Sequence, residues 1–308
     1  MGKYILKRLA MMIPIILGIT FIIFSIMNMI PGDTATLILG DNAPQEAREQ
    51  LEEELGLNQP FLLRYVNYVV DAVQGDFGDS YRTRTPVFEE IFQRFPTTLK
   101  LAAGAMLLAV LIGIPLGIIS AVKQYSFLDA LSSVSAMFLS SIPAFWLGLL
   151  SILLFSLKLG LLPSNGADTA ASFVLPVVTL SLPGAAEILR LTRSTMLEVI
   201  RQDYIRTARA KGATERTIIW RHALKNALLP IITVAGMHFG ALLGGSMITE
   251  SVFAMPGVGT LAIEAIRSKD TPQVMASVLL MAVVFCFIML LVDLLYAFID
   301  PRIRARYK

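Results

Sequence analysis

The sequence predicts an all-α integral membrane protein that crosses the bilayer six times, and three observations carry that reading. Apolar residues make up 55% of the 308 and charged residues only 16%, against about 25% charged in soluble chains. Mean hydropathy is +0.68, more apolar surface than a soluble chain of this length can hide. The apolar residues gather into six runs of roughly the 20 residues that cross about 30 Å of hydrocarbon, and the basic residues gather on alternate connections. The single cysteine, Cys286, excludes a disulfide framework and a Cys-rich metal site.

The first run, 9–30, follows Lys3, Lys7 and Arg8. It is longer than a signal-peptide core and no Ala-x-Ala pattern follows it, so it reads as a retained span. The other runs are 99–122, 134–157, 173–189, 228–248 and 274–299. Pro115, Pro143, Pro176 and Pro183 predict kinks, tolerable where neighbouring helices cover the freed carbonyls.

Six spans leave both termini on one side, and the positive-inside rule chooses it. With the N-terminus inside, most of the 26 Lys and Arg fall on the inner side, nine of them in the 190–225 connection. Segment 31–97 holds twelve acidic residues and five arginines and faces outward. Both termini are therefore expected in the cytoplasm. Residues 1–30 form a tail and first span, 31–97 an extracytoplasmic helical segment, and 98–308 a five-span core containing the 190–227 loop. Within the outer segment, 46–55 reads as a charged helix. Phe61, Leu62, Tyr65, Val69 and Val73 mark an amphipathic one over 61–73.

Gly236, Gly240 and Gly244, and likewise Gly113 and Gly117, recur every four residues. Such faces let membrane helices approach closely, either within the chain or against a partner subunit. Ionisable residues in spans are costly and mark functional candidates. Glu187 and Asp293 read as lying near inner helix ends, Glu187 beside Arg190, and Glu250 at the outer end of the fifth span. His238 lies near mid-membrane, either as a structural, hydrogen-bonded histidine or on a translocation path. Segment 252–266 turns at Pro256-Gly257 and then forms a short helix, which is either a surface loop or an outer gate.

The 190–227 loop is the most informative segment. Met196, Leu197, Ile200, Tyr204, Ile205 and Ala208 give one helical apolar face, which Gly212 ends. Thr214 can cap a second helix with Glu215 in its first turn, and Pro230 is expected to open the fifth span. The nine cations suit anionic headgroups, but headgroup binding does not need a Gly-interrupted helical corner.

The run Asp203-Tyr204-Ile205-Arg206-Thr207-Ala208-Arg209-Ala210-Lys211-Gly212, followed by His222-Ala223-Leu224-Lys225-Asn226-Ala227 and Pro230, resembles the permease loop of the dipeptide/oligopeptide/nickel ABC importers. Pro31-Gly32-Asp33, Gly75-Asp76-Phe77-Gly78, the stretch from Glu250 and Phe253 to Pro256-Gly257-Val258-Gly259, and Asp300-Pro301-Arg302 extend the likeness along the chain. The wider importer pattern has Glu, Ile and Pro where this chain has Arg206, His222 and Lys225, a departure similar to the peptide branch.

The resemblance implies an ABC importer type I permease fold in a prokaryotic cytoplasmic membrane. It also implies a second homologous permease, two cytoplasmic ATPase subunits and an extracytoplasmic binding protein. ATP and Mg would be held by the ATPases, this chain binding no cofactor or metal and catalysing no reaction. No G-x-x-x-x-G-K-[ST] loop occurs in the sequence. The coupling residues implied are Arg206, Ala208, Arg209, Ala210, Lys211, Gly212, Ala213, Thr214 and Arg216. Candidates for the path or gate are His238, Glu250, Phe253, Pro256, Gly257 and Gly259. Short peptides are the implied substrate, with glutathione, a nickel chelate or a sugar left open. A stand-alone secondary transporter is the alternative, disfavoured because it usually needs acidic groups at depth. No paired carboxylates or nucleophile–base set supports an enzyme.

Overall fold

The computed structural model describes residues 2–29, 34–40 and 42–299. The Pro31-Gly32-Asp33 and Asp300-Pro301-Arg302 motifs lie outside them. Among the described residues the regular structure is helical, with one isolated β-bridge between Asp79 and Pro86. In chain order the helices are α1 (Gly2–Met29), α2 (Thr34–Leu39), α3 (Gln45–Glu54), α4 (Phe61–Val73), α5 (Val87–Val122), α6 (Phe127–Ser141) and α7 (Ala144–Ser151). They continue as α8 (Val174–Ile200), α9 (Asp203–Ala210), α10 (Glu215–Thr217), α11 (Leu224–Gly245), α12 (Met247–Val252), α13 (Val258–Arg267) and α14 (Thr271–Ile299). π-helical turns at Ile152–Lys158 and Ile218–Ala223 prolong α7 and lead into α11.

Among the described residues five helical stretches are long and apolar enough to cross a membrane: Ile5–Met29, Val87–Val122, Ala170–Ile200, Glu215–Gly244 and Thr271–Leu295. The pair Phe127–Ser141 and Ala144–Lys158 makes six if counted as one span, but it is bent by 96°. The kink expected at Pro143 within 134–157 is therefore a full break. Pro143 offers no amide to the helix and pushes the preceding residue out of the helical region, and Ile142 sits at φ −88°, ψ 128°. Helices α5 and α8 run unbroken through Pro115 and Pro183. Helix α5 begins at Val87 rather than 99, and its 36 residues measure about 54 Å at 1.5 Å each. Pro230 lies inside α11 rather than opening the span, because the π-helical turn has already carried the helix past residue 223.

The chain divides into two compact units. Among the described residues the first comprises Leu99–Met255 with 287–299, the second Gly2–Thr98 with Pro256–Cys286. In the first unit, α5 lies directly on α8. A β-carbon added at Gly113 would sit 2.8 Å from the Ala185 carbonyl oxygen, and one at Gly117 would sit 2.8 Å from that of Leu189. The small-residue pattern in α5 therefore serves packing within the chain. In α11 Gly236 packs on Val292, whereas a β-carbon added at Gly244 would meet no other part of the described residues within 4 Å.

A buried ion pair ties this unit together. Asp129 of α6 accepts two hydrogen bonds from Arg193 of α8, at 2.6 and 2.8 Å, plus one from the Tyr125 amide at 2.9 Å and one from the Ser120 hydroxyl. Its side chain is only 6% exposed. Sequence reading missed the pair, since the partners are 64 residues apart and neither has a local signature.

In the second unit α4 lays an aromatic face on α1. The Tyr65 hydroxyl reaches the Leu17 carbonyl at 2.8 Å, and Phe21 and Phe24 contact Tyr65 and Phe61 edge-on or tilted. The expected face needs correction at two positions: Leu62 and Val73 are 64% and 84% exposed, and Tyr68 turns inward instead, stacking on Phe24. Asp270, 2% exposed, accepts from the Ser80 hydroxyl and from the Tyr81 and Arg82 amides. It thereby holds the 80–85 turn to the start of α14. Val87, Ile91, Val258, Leu261 and Ala276 form the adjoining core.

Removing one member of the Asp129–Arg193 pair leaves the other charge uncompensated. Asp129→Ala is expected to destabilise the chain by about 3 kcal/mol. The Asp129→Leu/Arg193→Met double variant is expected to lose less than the sum of the single variants, and thermal unfolding in detergent reads both.

Candidate functional site: the corner between α9 and α10

The expected single helix through Ala208 is two. Helix α8 ends at Ile200, Gln202 is extended at φ −70°, ψ 148°, and α9 starts at Asp203. An acid in a first turn is favoured by the helix dipole, and this was the available signal for the break. At the other end α9 closes as a Schellman motif: the Ala213 amide bonds the Ala208 carbonyl at 3.2 Å and the Gly212 amide the Arg209 carbonyl at 2.9 Å. The motif needs a left-handed residue, and Gly212 supplies it at φ +80°. Thr214 then caps α10, its hydroxyl oxygen accepting from the Thr217 amide at 3.4 Å.

Arg209 and Glu215 close the corner from outside. The guanidinium donates Nε to Oε1 at 2.7 Å and Nη2 to Oε2 at 3.2 Å. This hydrogen bonding raises the Arg209 pKa above its usual value, at which an arginine is already cationic. Arg206, Arg209, Ala210, Lys211, Gly212, Thr214 and Arg216 are exposed, while Ala208 and Ala213 are half-buried against the fold.

Beneath the corner, Ile205, Ile218 and Ala223 are each fully buried in one cluster with Met196 of α8 and Ile118 and Ala121 of α5. Tyr204 was expected on the apolar face. It is 43% exposed, and its hydroxyl accepts from Asn226 Nδ2 at 2.9 Å. The result is an exposed basic corner whose position is fixed by the ends of three long helices.

The remaining candidates separate. His238 is half-buried in α11, its Nδ1 3.8 Å from Glu187 Oε2 and its Nε2 without a hydrogen-bond partner among the described residues. The ring lies against Gly184, where a β-carbon would collide with it. Glu187 thus faces His238 rather than Arg190. Glu250 is fully buried and accepts from the Ser246 hydroxyl at 2.9 Å. Phe253, 1% exposed, lies against Gly148, and its carbonyl accepts from the Gly166 amide at 3.0 Å.

In the second unit Pro256 is exposed and Gly257 and Gly259 are buried. Helix α13 follows as the Pro-Gly turn predicts. Thr260 bridges the Gly257 amide and carbonyl, and the Val258 amide donates to Thr98 Oγ1 at 2.9 Å. Among the described residues no cluster of three or more His, Cys, Asp or Glu side chains could hold a metal.

Two family descriptions match the chain: the N-terminal membrane component of binding-protein-dependent transport systems over residues 1–102, and the inner membrane component of such systems over residues 113–305. The dipeptide transport system permease protein DppB of Alkalihalophilus pseudofirmus is 41% identical, the alignment covering 99% of this chain and 100% of the relative. The glutathione transport system permease protein GsiC of Escherichia coli K12 is 43% identical, with 99% of each chain covered. Among solved structures, an inward-facing MetNI methionine ABC transporter chain superposes with TM-score 0.58 at 21% identity. It covers 68% of this chain and 96% of that one. A chain of an amino acid ABC transporter gives 0.54 at 17%, covering 67% and 92%. Membership implies ATPase and binding-protein partners. The chain belongs to the family of binding-protein-dependent transport system inner membrane components, and is a multi-pass permease subunit of an ABC importer.

Proposed function

We propose that this permease forms half of the translocation path for short peptides, and that its 209–216 corner docks into a cleft of a cytoplasmic ATPase. The observation that carries the docking reading is the corner itself: exposed, basic, preformed by a Schellman turn, and seated on a core shared by α5, α8 and α11. A rigid seat lets ATPase closure move those helices as one body. Short peptides are the substrate class that unites the dipeptide and glutathione systems of the relatives. The basic loop argues for a cytoplasmic corner and cytoplasmic termini. A second, homologous permease would complete the path, two ATPases would hold ATP and Mg, and an extracytoplasmic binding protein would deliver the peptide. The open face of α11 at Gly244 suits the second permease. Segment 252–266 would gate the outer mouth, with Glu250, Phe253, Pro256, Gly257 and Gly259 setting its turn.

The test is ATPase activity of the assembled complex in lipid vesicles, with peptide-loaded binding protein, and with this chain present or omitted. Stimulation is expected only with the chain present, and its absence in both cases would sink the reading. Ala210→Glu alters an exposed position, so folding should survive while stimulation falls about tenfold from an unpaired charge in the interface. Gly212→Ala places a β-carbon at φ +80°, costing about 1–2 kcal/mol, and faster hydrogen exchange over 208–216 is the expected readout. A cross-link between cysteines replacing Thr98 and Val258 is expected to stop uptake, and undiminished uptake would remove the gate. His238→Gln is expected to preserve uptake and Gly184→Leu to abolish it, since the ring's contact with Gly184 is steric.

A further inference from the structure

The second unit contains two cavities with opposite chemistry and a shared wall. The first, about 440 Å³, lies among α1, α4, α5 and α14, and its lining is aliphatic or aromatic apart from Thr20 and Tyr68. The Thr20 hydroxyl is already bonded to the Ile16 carbonyl at 2.9 Å. The second, about 600 Å³, carries both signs of charge: Arg64 and Arg84 against Glu54, Asp71, Asp76 and Asp79. Tyr68 and Phe77 line both. The Tyr68 hydroxyl is buried and has no hydrogen-bond partner among the described residues, and a buried polar group in that state calls for a missing partner. Arg84 makes no ion pair among the described residues. It is held at φ +59°, a conformation that costs a residue with a β-carbon and is kept here by the bond from its amide to the Ser80 carbonyl at 3.0 Å.

We propose that the two cavities together bind one phospholipid with a zwitterionic, ethanolamine-type headgroup. An acyl chain fills the apolar cavity beside the spans of α1 and α14. The phosphate lies within reach of Arg84 and the Tyr68 hydroxyl, and the ammonium faces the carboxylates. Only an amphiphile uses both linings at once; a polar peptide would leave the apolar cavity unfilled. Acidic side chains outnumber arginines in the polar cavity, so an anionic headgroup is disfavoured there. This site is independent of the peptide reading.

The test uses the assembled transporter in vesicles of phosphatidylethanolamine and phosphatidylglycerol. Each lipid is supplied in turn with a photoreactive group on its headgroup or on its chain end, and labelled peptides are mapped by mass spectrometry. Headgroup-labelled phosphatidylethanolamine is expected to mark 64–84, and the chain-labelled form 13–20 or 276–283. Arg84→Gln is expected to reduce labelling about tenfold, the loss of one charge-assisted hydrogen bond, and Tyr68→Phe to reduce it with the ring retained. Val73→Trp alters an 84% exposed wall residue, so the fold survives while the chain-end label is displaced. Equal labelling by phosphatidylglycerol, unchanged in Arg84→Gln, would mean unspecific surrounding lipid and overturn the proposal. So would protection of both segments by a partner subunit's helix.

Discussion

At Gly113 and Gly117 helix α5 touches the backbone of α8, and most of the first unit follows from that contact. Lipid tails are as apolar as the helices, so no hydrophobic force drives helices together inside a bilayer. Association there depends on close packing and on hydrogen bonds. Two missing β-carbons let α5 and α8 approach until carbonyls and β-carbon positions are 2.8 Å apart. The same approach brings the end of α5 beside the end of α8, where Ile118, Ala121 and Met196 form the bed for the corner. The Asp129–Arg193 pair then fixes α6 to α8, and the Ser120 hydroxyl of α5 joins the same carboxylate. A corner on three anchored helices is a lever, whereas a corner on a free loop would absorb any push.

Segments governed by local chemistry were legible in sequence. The helix Phe61–Val73 follows from its apolar spacing, the Gly212 corner from one residue that tolerates positive φ, and the helix after Pro256-Gly257 from turn residues. The glycine repeat in α5 was legible as a close-approach face, though not which helix it meets. What escaped was non-local. Tyr68 turned inward in place of Leu62 because α1 offers Phe24 as a stacking partner. Asp129 finds Arg193 only once α6 and α8 are side by side. Asp270 gathers a turn that begins 190 residues earlier.

The prolines within the spans act differently from one another. A kink at Pro143 was expected, and a 96° break is observed, while Pro115 and Pro183 leave their helices continuous. The difference lies in the preceding residue. Ile142 has moved to the extended region, so both the helical amide and the helical ψ are lost at that point. In α5 and α8 the neighbouring helix packs closely enough to hold the backbone on course.

The Glu187–His238 contact bears on how the chain is powered. A proton-coupled carrier usually needs acidic groups at depth, and Glu187, on a membrane-spanning helix, faces a histidine. Depth alone does not make a proton relay, which needs a chain of groups that can pass the proton on. Among the described residues His238 Nε2 has no hydrogen-bond partner, and the ring is pressed against Gly184, so the contact visible at that end is packing. Family membership assigns the energy source to ATP-binding-cassette coupling, and the pair is left to hold α8 against α11, the two helices that lead into the corner from either side.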